Sequence, residues 1–361
     1  MTRGAGPSRP PLSVACVIDP GKLWNPYLRL LQQSLGDEGV RYRSGIGVLW
    51  RGDYRLVHVH WPEAMARHRF AVVALAKAVL MIGGLVAARL RGRKVVWTVH
   101  NLQTHEGAAR PWLEGPAWRL FERTVSGVIL LAAGSESEFV SRYPRLADRP
   151  RAIIPHGHYR ALTGAGAKRR PPGKGVATIT FPGLVRPYKG VRELIDAFSE
   201  AGIPDCRLVI AGQAMGGPAE PDFPRVIERM IAADPRITGH LRRLSDEELT
   251  ELMAETDLAV TPFRRVLNSG SVLFALSCDR PVCAPRLGAM AEIQASVGPE
   301  WLYLYDPPLT PAVLEAALRW ALDGKRGARP DLDAFDWPAI ARAHRAFFES
   351  LQAPAARDGP A

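Results

Sequence analysis

The sequence predicts an α/β protein made of two Rossmann-like, doubly wound domains. Short β-type apolar runs alternate with helical runs along its whole length, which is the pattern of parallel sheets covered by helices. Its 361 residues exceed one ordinary α/β domain, and two of roughly 150 residues each fit better. Glycine-punctuated loops follow the strands of the second half, where such sheets bind ligands. Apolar residues at 47% and charged residues at 23% suffice for two cores.

In the first half, strands are expected at 13–18, 56–61, 94–100, 127–132 and 152–155, with helices between them, among them 26–36 and 70–90. TGAGAKRRPPGKG at 163–175 is rich in Gly, Pro and cations without apolar periodicity, and reads as a linker. A second series follows: strands at 177–181, 207–211, near Ile237, 258–261, 281–284 and 302–305. Helices are expected at 191–201, 225–233, 246–254, 271–277 and 311–322, then a last amphipathic helix at 335–351. The predicted organisation is a first domain over 1–162, the linker, a second domain over 176–334, a returning helix over 335–352 and a disordered tail at 353–361.

The four cysteines, Cys16, Cys206, Cys278 and Cys283, have neither CxxC nor zinc-type spacing and read as buried thiols in a reducing compartment. MTRGAGPSRPPLS lacks the apolar run of a secretory signal. Residues 1–165 carry 23 Lys and Arg against 11 Asp and Glu, whereas the rest is close to neutral. Either the basic half meets an anionic partner, or it reflects an arginine-rich composition alone. FAVVALAKAVLMIGGLVAA at 70–88 approaches the length and apolarity of a membrane span. It joins two strands of one expected sheet, so it must be a crossover packed on that sheet, buried alone or also touching a membrane shallowly.

Most informative is FPGLVRPYKGVRELIDAF at 181–198. Gly183 closes a strand, Arg186 and Lys189 occupy the loop, and a helix opens after Gly190. Helix N–H groups with two cations suit a diphosphate, although a basic surface turn has the same look. Gly212 ends the next strand in LVIAGQ. Asn268, Ser269, Gly270 and Ser271 read as a loop and N-cap before a helix of small residues, and Arg286-Leu287-Gly288 is a further strand-end loop. In the first domain, polar residues cluster where strands end: His58, His60 and Glu63, then His100, Asn101, His105 and Glu106, then His156 and His158, and Gly21, Lys22 and Asn25. Each histidine alone is more often structural, but the clusters share one sheet edge. No GxGxxG, Walker A, HExxH, zinc spacing or GxSxG occurs, which weighs against hydride transfer, ATP hydrolysis and hydrolase chemistry.

Together RPYKG (186–190), AGQ (211–213), the segment from SGS (269–271) through RPVCAPRLG to Glu292, and WTVHN (97–101) resemble the GT-B glycosyltransferases of the family-4 type, over about residues 12–352. That resemblance implies two domains facing a cleft, with the terminal helix crossing back to the first. It implies that Arg186 and Lys189 hold the donor diphosphate, His100 reaches the donor sugar, and Gly21 lies near the phosphates. It also puts Gly183, Gly212, Gln213 and Asn268–Ser271 around the donor. The family's paired glutamates fall here on Val266 and Phe274, and Glu292 is a candidate replacement carboxylate.

The function so implied is transfer of a hexosyl group, mannose or glucose, from a nucleoside-diphosphate sugar to a saccharide acceptor. The acceptor is expected to be lipid-linked, in polysaccharide or glycolipid synthesis. No metal or other cofactor is expected, because side-chain cations neutralise the leaving group. An inverting reaction needs a base, with His100, His105 and Glu106 as candidates. The expected location is cytoplasmic, peripheral on the inner face of an anionic membrane. A catalytically inactive nucleotide-sugar-binding partner of another transferase is the alternative, favoured by the missing glutamates. Nucleic-acid binding is set aside for want of a stacking-aromatic motif.

Overall fold

The computed structural model describes residues 10–18, 26–66, 68–102, 110–163 and 175–353. These form two compact units: residues up to Gly157 together with those from Phe335 onward, and His158–Ala334.

The first unit runs β1 (Leu12–Cys16), α1 (Tyr27–Asp37), β2 (Val40–Ser44), α2 (Val48–Arg51), β3 (Leu56–His60), α3 (Ala71–Leu90), β4 (Lys94–Val99), α4 (Pro111–Thr124), β5 (Gly127–Leu130), α5 (Glu136–Arg142) and β6 (Arg151–Ile153). All strands are parallel, in the order β2-β1-β3-β4-β5-β6. Parallel neighbours need helical crossovers, and α3 is the one between β3 and β4.

The two faces differ in chemistry. His60 pairs with Thr98, so His58, His60 and Thr98 share one face and Trp97 points to the other. There Trp97 packs edge-on against Trp118, Phe121 and Tyr143. A buried aromatic of this size contributes about 1.5–3 kcal/mol, which anchors α4 and α5.

In the second unit the order is α6 (Arg160–Thr163), β7 (Ala177–Pro182), α7 (Val191–Ala201), β8 (Cys206–Ala211), α8 (Phe223–Ala233), β9 (Ile237–His240), α9 (Asp246–Ala254), β10 (Leu258–Val260), α10 (Gly270–Ser277), β11 (Val282–Pro285), α11 (Met290–Val297), β12 (Leu302–Tyr305) and α12 (Pro311–Leu322). Its parallel sheet is ordered β12-β11-β10-β7-β8-β9. The chain direction across the sheet therefore reverses between β7 and β10, the crevice where doubly wound sheets take ligands. Ile179, Phe181, Phe198, Leu208, Ile210 and Leu314 fill the core.

The last helix, α13 (Trp337–Ser350), returns to the first unit and packs on α1. Its buried Arg345 donates to the carbonyls of Glu38 and Pro10.

Several elements depart from expectation in bounds or existence. VRYRS at 40–44 forms the edge strand β2, whose Arg41, Arg43 and Ser44 do not pack inward and so lack a strand's apolar signal. Helix α4 persists through Gly115 and Pro116, because its Leu113, Ala117 and Phe121 stripe is buried. Helix α11 follows the loop at 286–288. Residues 158–162 belong to the second unit, held by the Tyr159 N–H on Ser277 Oγ at 2.8 Å and the Arg160 guanidinium on the Pro330 carbonyl. The expected linker, apart from Thr163 and Gly175, and the expected tail beyond Ala353 lie outside the described residues. All four cysteines are buried, and none forms a disulfide among the described residues.

Candidate active site

Three loops of the second unit meet at the carboxyl edge of its sheet. The loops after β7 and β8 are zipped together by the Gly183 N–H on the Ala211 carbonyl (2.8 Å), Val185 on Gln213 (3.0 Å) and Met215 on Val185 (3.0 Å). The third loop, after β10, joins them where the Arg264 N–H donates to the Tyr188 carbonyl at 3.0 Å. Gly190 makes this closure sterically feasible. Its φ is +71°, and a Cβ there would fall 1.9 Å from the Pro262 carbonyl oxygen.

Arg186 and Lys189 sit around a single 3₁₀ turn, Pro187–Lys189, and both are half-buried. The Arg186 guanidinium leans on Met215 Sδ at 3.2 Å, and Lys189 Nζ stands 5.3 Å from the Phe263 ring centroid. Burial, and next the Arg186 charge, lower the Lys189 ammonium to about 8. Two desolvated cations side by side form a site that gains from an anion.

Ser269 caps α10, accepting from the Val272 N–H at 3.2 Å, so the helix begins one residue earlier than expected and takes Gly270 and Ser271 into its first turn. A Cβ on Gly183 would lie 2.7 Å from Ser271 Oγ and 3.8 Å from Lys189 Nζ. Gly183, Lys189, Ser271 and the open N–H groups of α10 are thus brought together. Gln213, directly after Gly212, has a buried Oε1 without a hydrogen-bond partner among the described residues. Asn268 precedes the cap and is half-buried. Glu292 is exposed in the first turn of α11. At the two glutamate positions, Val266 is half-buried and Phe274 buried, the latter edge-on to Tyr159 at 6.1 Å.

In the first unit the carboxyl edge holds a buried aromatic and imidazole cluster. His58 Nε2 bonds Thr98 Oγ1 at 2.7 Å, and Tyr42 OH bonds His58 Nδ1. His60 Nδ1 lies 2.9 Å from His100 Nε2, and the Trp61 indole stacks on the His100 ring at 4.2 Å and 19°. Tyr27 approaches His100 edge-on at 5.1 Å and lies tilted by 43° to His156 at 4.5 Å. His344 closes the cluster from α13, 5.8 Å from His58.

Burial pushes all five imidazoles down, with neighbouring imidazoles adding to it for three. His156 and His344 come to about 4, and His58, His60 and His100 lie well below the usual range. They are neutral at neutral pH. His158, expected beside His156, belongs to the second unit. Gly21, His105 and Glu106 lie outside the described residues. Tyr27, Tyr42, Trp61 and His344 were not legible as site residues. Only Trp61 carried a local signal, as the residue directly after the histidine strand.

Comparison with known proteins accords with this geometry. Residues 177–323 match the family described as glycosyl transferases group 1. A GDP-mannose:glycolipid 4-beta-D-mannosyltransferase of Xanthomonas campestris pv. campestris is 33% identical over 331 residues, 91% of this chain and 89% of that protein. Among solved structures, Anabaena HepE in complex with UDP superposes with a TM-score of 0.63 at 17% identity, covering 95% of this chain and all of HepE. Sucrose-phosphate synthase from Thermosynechococcus elongatus gives 0.68 at 19% identity, covering 95% and 99%. The chain belongs to the glycosyltransferases of the GT-B fold. It is a hexosyltransferase that uses a nucleotide sugar.

Proposed function

We propose that this enzyme transfers a mannosyl group from GDP-mannose to a lipid-linked saccharide and leaves a β-linkage. The mannosyltransferase relative, aligned over nine-tenths of both chains, carries the choice of sugar and acceptor. The meeting of Lys189 and Ser271 at Gly183, beside Arg186 and the α10 N-terminus, carries the choice of leaving group. As the sugar C1–O bond to the diphosphate breaks, the negative charge on the leaving oxygen meets Arg186, Lys189 and free N–H groups. Those groups do the work a metal would otherwise do, so turnover should survive chelation of divalent cations. The acceptor hydroxyl forms the new bond to C1 and gives its proton to a base, for which His100, His105 and Glu106 are the candidates. Neither Val266 nor Phe274 can bond a ribose hydroxyl through its side chain, so ribose recognition falls to other groups around the donor.

The enzyme is read as peripheral on the inner face of an anionic membrane. Helix α3 is 20 residues long and apolar enough to cross a bilayer by length and composition, yet it is the crossover between adjacent strands. Its outer face leaves Val72 (78%) and Val79 (62%) exposed, with Trp112 (62%) exposed on the neighbouring α4. Together with the basic first half, such a surface suits shallow insertion among anionic lipids.

The test is incubation with GDP-mannose, GDP-glucose, UDP-glucose or ADP-glucose and a lipid-linked oligosaccharide, with product anomer read by NMR. A β-mannosyl product supports the reading. Preference for another donor, or an α-product, overturns it.

A further inference from the structure

One hydrogen bond at the sheet edge of the first unit has a chemical consequence for His100. His60 Nδ1 and His100 Nε2 are 2.9 Å apart, and both rings are buried. One of the two nitrogens must carry the hydrogen. If His100 donates, His60 accepts at Nδ1 and its own hydrogen sits on Nε2. That Nε2 is buried with no hydrogen-bond partner among the described residues. A buried N–H without an acceptor is the rarer and costlier arrangement, so the hydrogen belongs on His60 Nδ1. His60 therefore donates, His100 Nε2 accepts, and the single hydrogen of the neutral His100 ring sits on Nδ1.

The surroundings hold this arrangement in place. Trp61 covers one face of the His100 ring, stacked at 19°, and it does so from a backbone φ of +44°. A bulky residue rarely adopts that conformation, and strain of this kind concentrates where a side chain must be aimed. His58 differs from His60 in that both its ring nitrogens are engaged, with Tyr42 and Thr98, so it braces the wall of the cluster. Burial keeps both members of the His60–His100 pair uncharged, so neither is a double donor.

We propose that His60 is a positioning residue for sugar transfer: it locks His100 in the Nδ1–H form with Nε2 occupied, so that His100 acts as a hydrogen-bond donor and not as the general base. This rests on the reading that His100 meets the donor sugar, and it narrows the base to groups other than His100. Partner groups that fix a catalytic imidazole's tautomer in this way control turnover without touching substrate.

Two measurements test the proposal. Long-range ¹H–¹⁵N spectra of histidine-labelled protein report each ring's tautomer. His100 is expected as Nδ1–H in the wild type and displaced from it in His60→Leu. An Nε2–H form in the wild type, or no change in His60→Leu, overturns the proposal. In kinetics, His60→Leu should lower kcat about tenfold with donor KM unchanged, while His60→Asn, whose amide N–H replaces Nδ1–H, stays within about threefold. His100→Asn should keep measurable turnover and the wild-type pH profile of kcat. Equal loss in His60→Leu and His60→Asn at equal melting temperatures would mark a packing role and overturn it. Wild-type turnover in His100→Ala would overturn the placement of His100 at the sugar, whichever tautomer the spectra show.

Discussion

Gly212 meets Gly183 backbone to backbone: a Cβ on Gly212 would lie 2.0 Å from the Gly183 carbonyl oxygen. Gly212 also has φ +149°, a conformation that side chains resist. The strand-end loops of β7 and β8 can therefore zip together because Gly212 lacks a side chain and Gly183 takes a φ of +115°. Gly212→Ala is expected to cost about 1–3 kcal/mol of stability, through clash and strain. It should also weaken donor binding, because Gly183 sets the position of Ser271 and Lys189. Thermal melts and donor KM check both; an unchanged donor KM would mean the loops need not be closed for the donor to bind.

Donor binding should fall as pH rises through about 8. Lys189 is cationic below that value, because burial and Arg186 hold its ammonium down to about 8, and only the cation pairs with a diphosphate. Bound diphosphate favours the charged form, so kcat should decline at higher pH than kcat/KM. Lys189→Arg should remove the alkaline limb while retaining binding. A profile for kcat/KM that is flat from pH 7 to beyond 9, in the presence of wild-type Lys189, would contradict this.

The first unit should lose stability in mild acid. Its five cluster histidines have folded-state pKa values below the usual 6.5, with His156 and His344 near 4. Above 6.5 they are neutral in both folded and unfolded chains, so their burial carries no penalty from ionisation. As pH falls from 6.5 towards 4 the unfolded chain binds protons first, and stability drops across that window. His344→Leu should flatten this dependence, since it removes one buried imidazole whose Nε2 has no partner among the described residues. Melting temperatures between pH 7.5 and 4.5 test this, and an equal slope in both proteins would refute the assignment.

Vesicle binding should require anionic lipid and weaken with salt, because exposed cations near such a surface add about 1 kcal/mol each and are screened within a Debye length. Val72→Glu with Val79→Glu, both on the exposed face of α3, should reduce co-sedimentation without unfolding the protein. Sedimentation that is unaffected by the pair, or absent for the wild type at low salt, argues for an acceptor met in solution.

The legible parts of the fold were those where the backbone or the core dictates residue type. The buried strands of the second unit read as apolar runs because parallel strands are covered on both faces, and Leu302–Tyr305 and Val191–Ala201 appear at the predicted bounds. β2 was hidden because an edge strand packs one face thinly, and α4 because Pro116 masks a helix that tertiary burial sustains. The glycine loops announced themselves, since Gly183, Gly190 and Gly212 answer to local sterics. The imidazole cluster did so only by half. Alternation marked His58 and His60, but Tyr27 and His344 converge on them from elements that only the tertiary fold unites.

The central claim is that the Arg186–Lys189 turn holds the donor diphosphate. Titration calorimetry of GDP, UDP and ADP into wild type, Arg186→Ala and Lys189→Ala tests it most directly. Each substitution removes one charge-assisted contact worth about 1.5–3 kcal/mol. The expected result is that the wild type binds a nucleoside diphosphate, GDP most tightly. Each variant should bind it at least about tenfold more weakly at an unchanged melting temperature. Variants that bind as tightly as the wild type would contradict the claim.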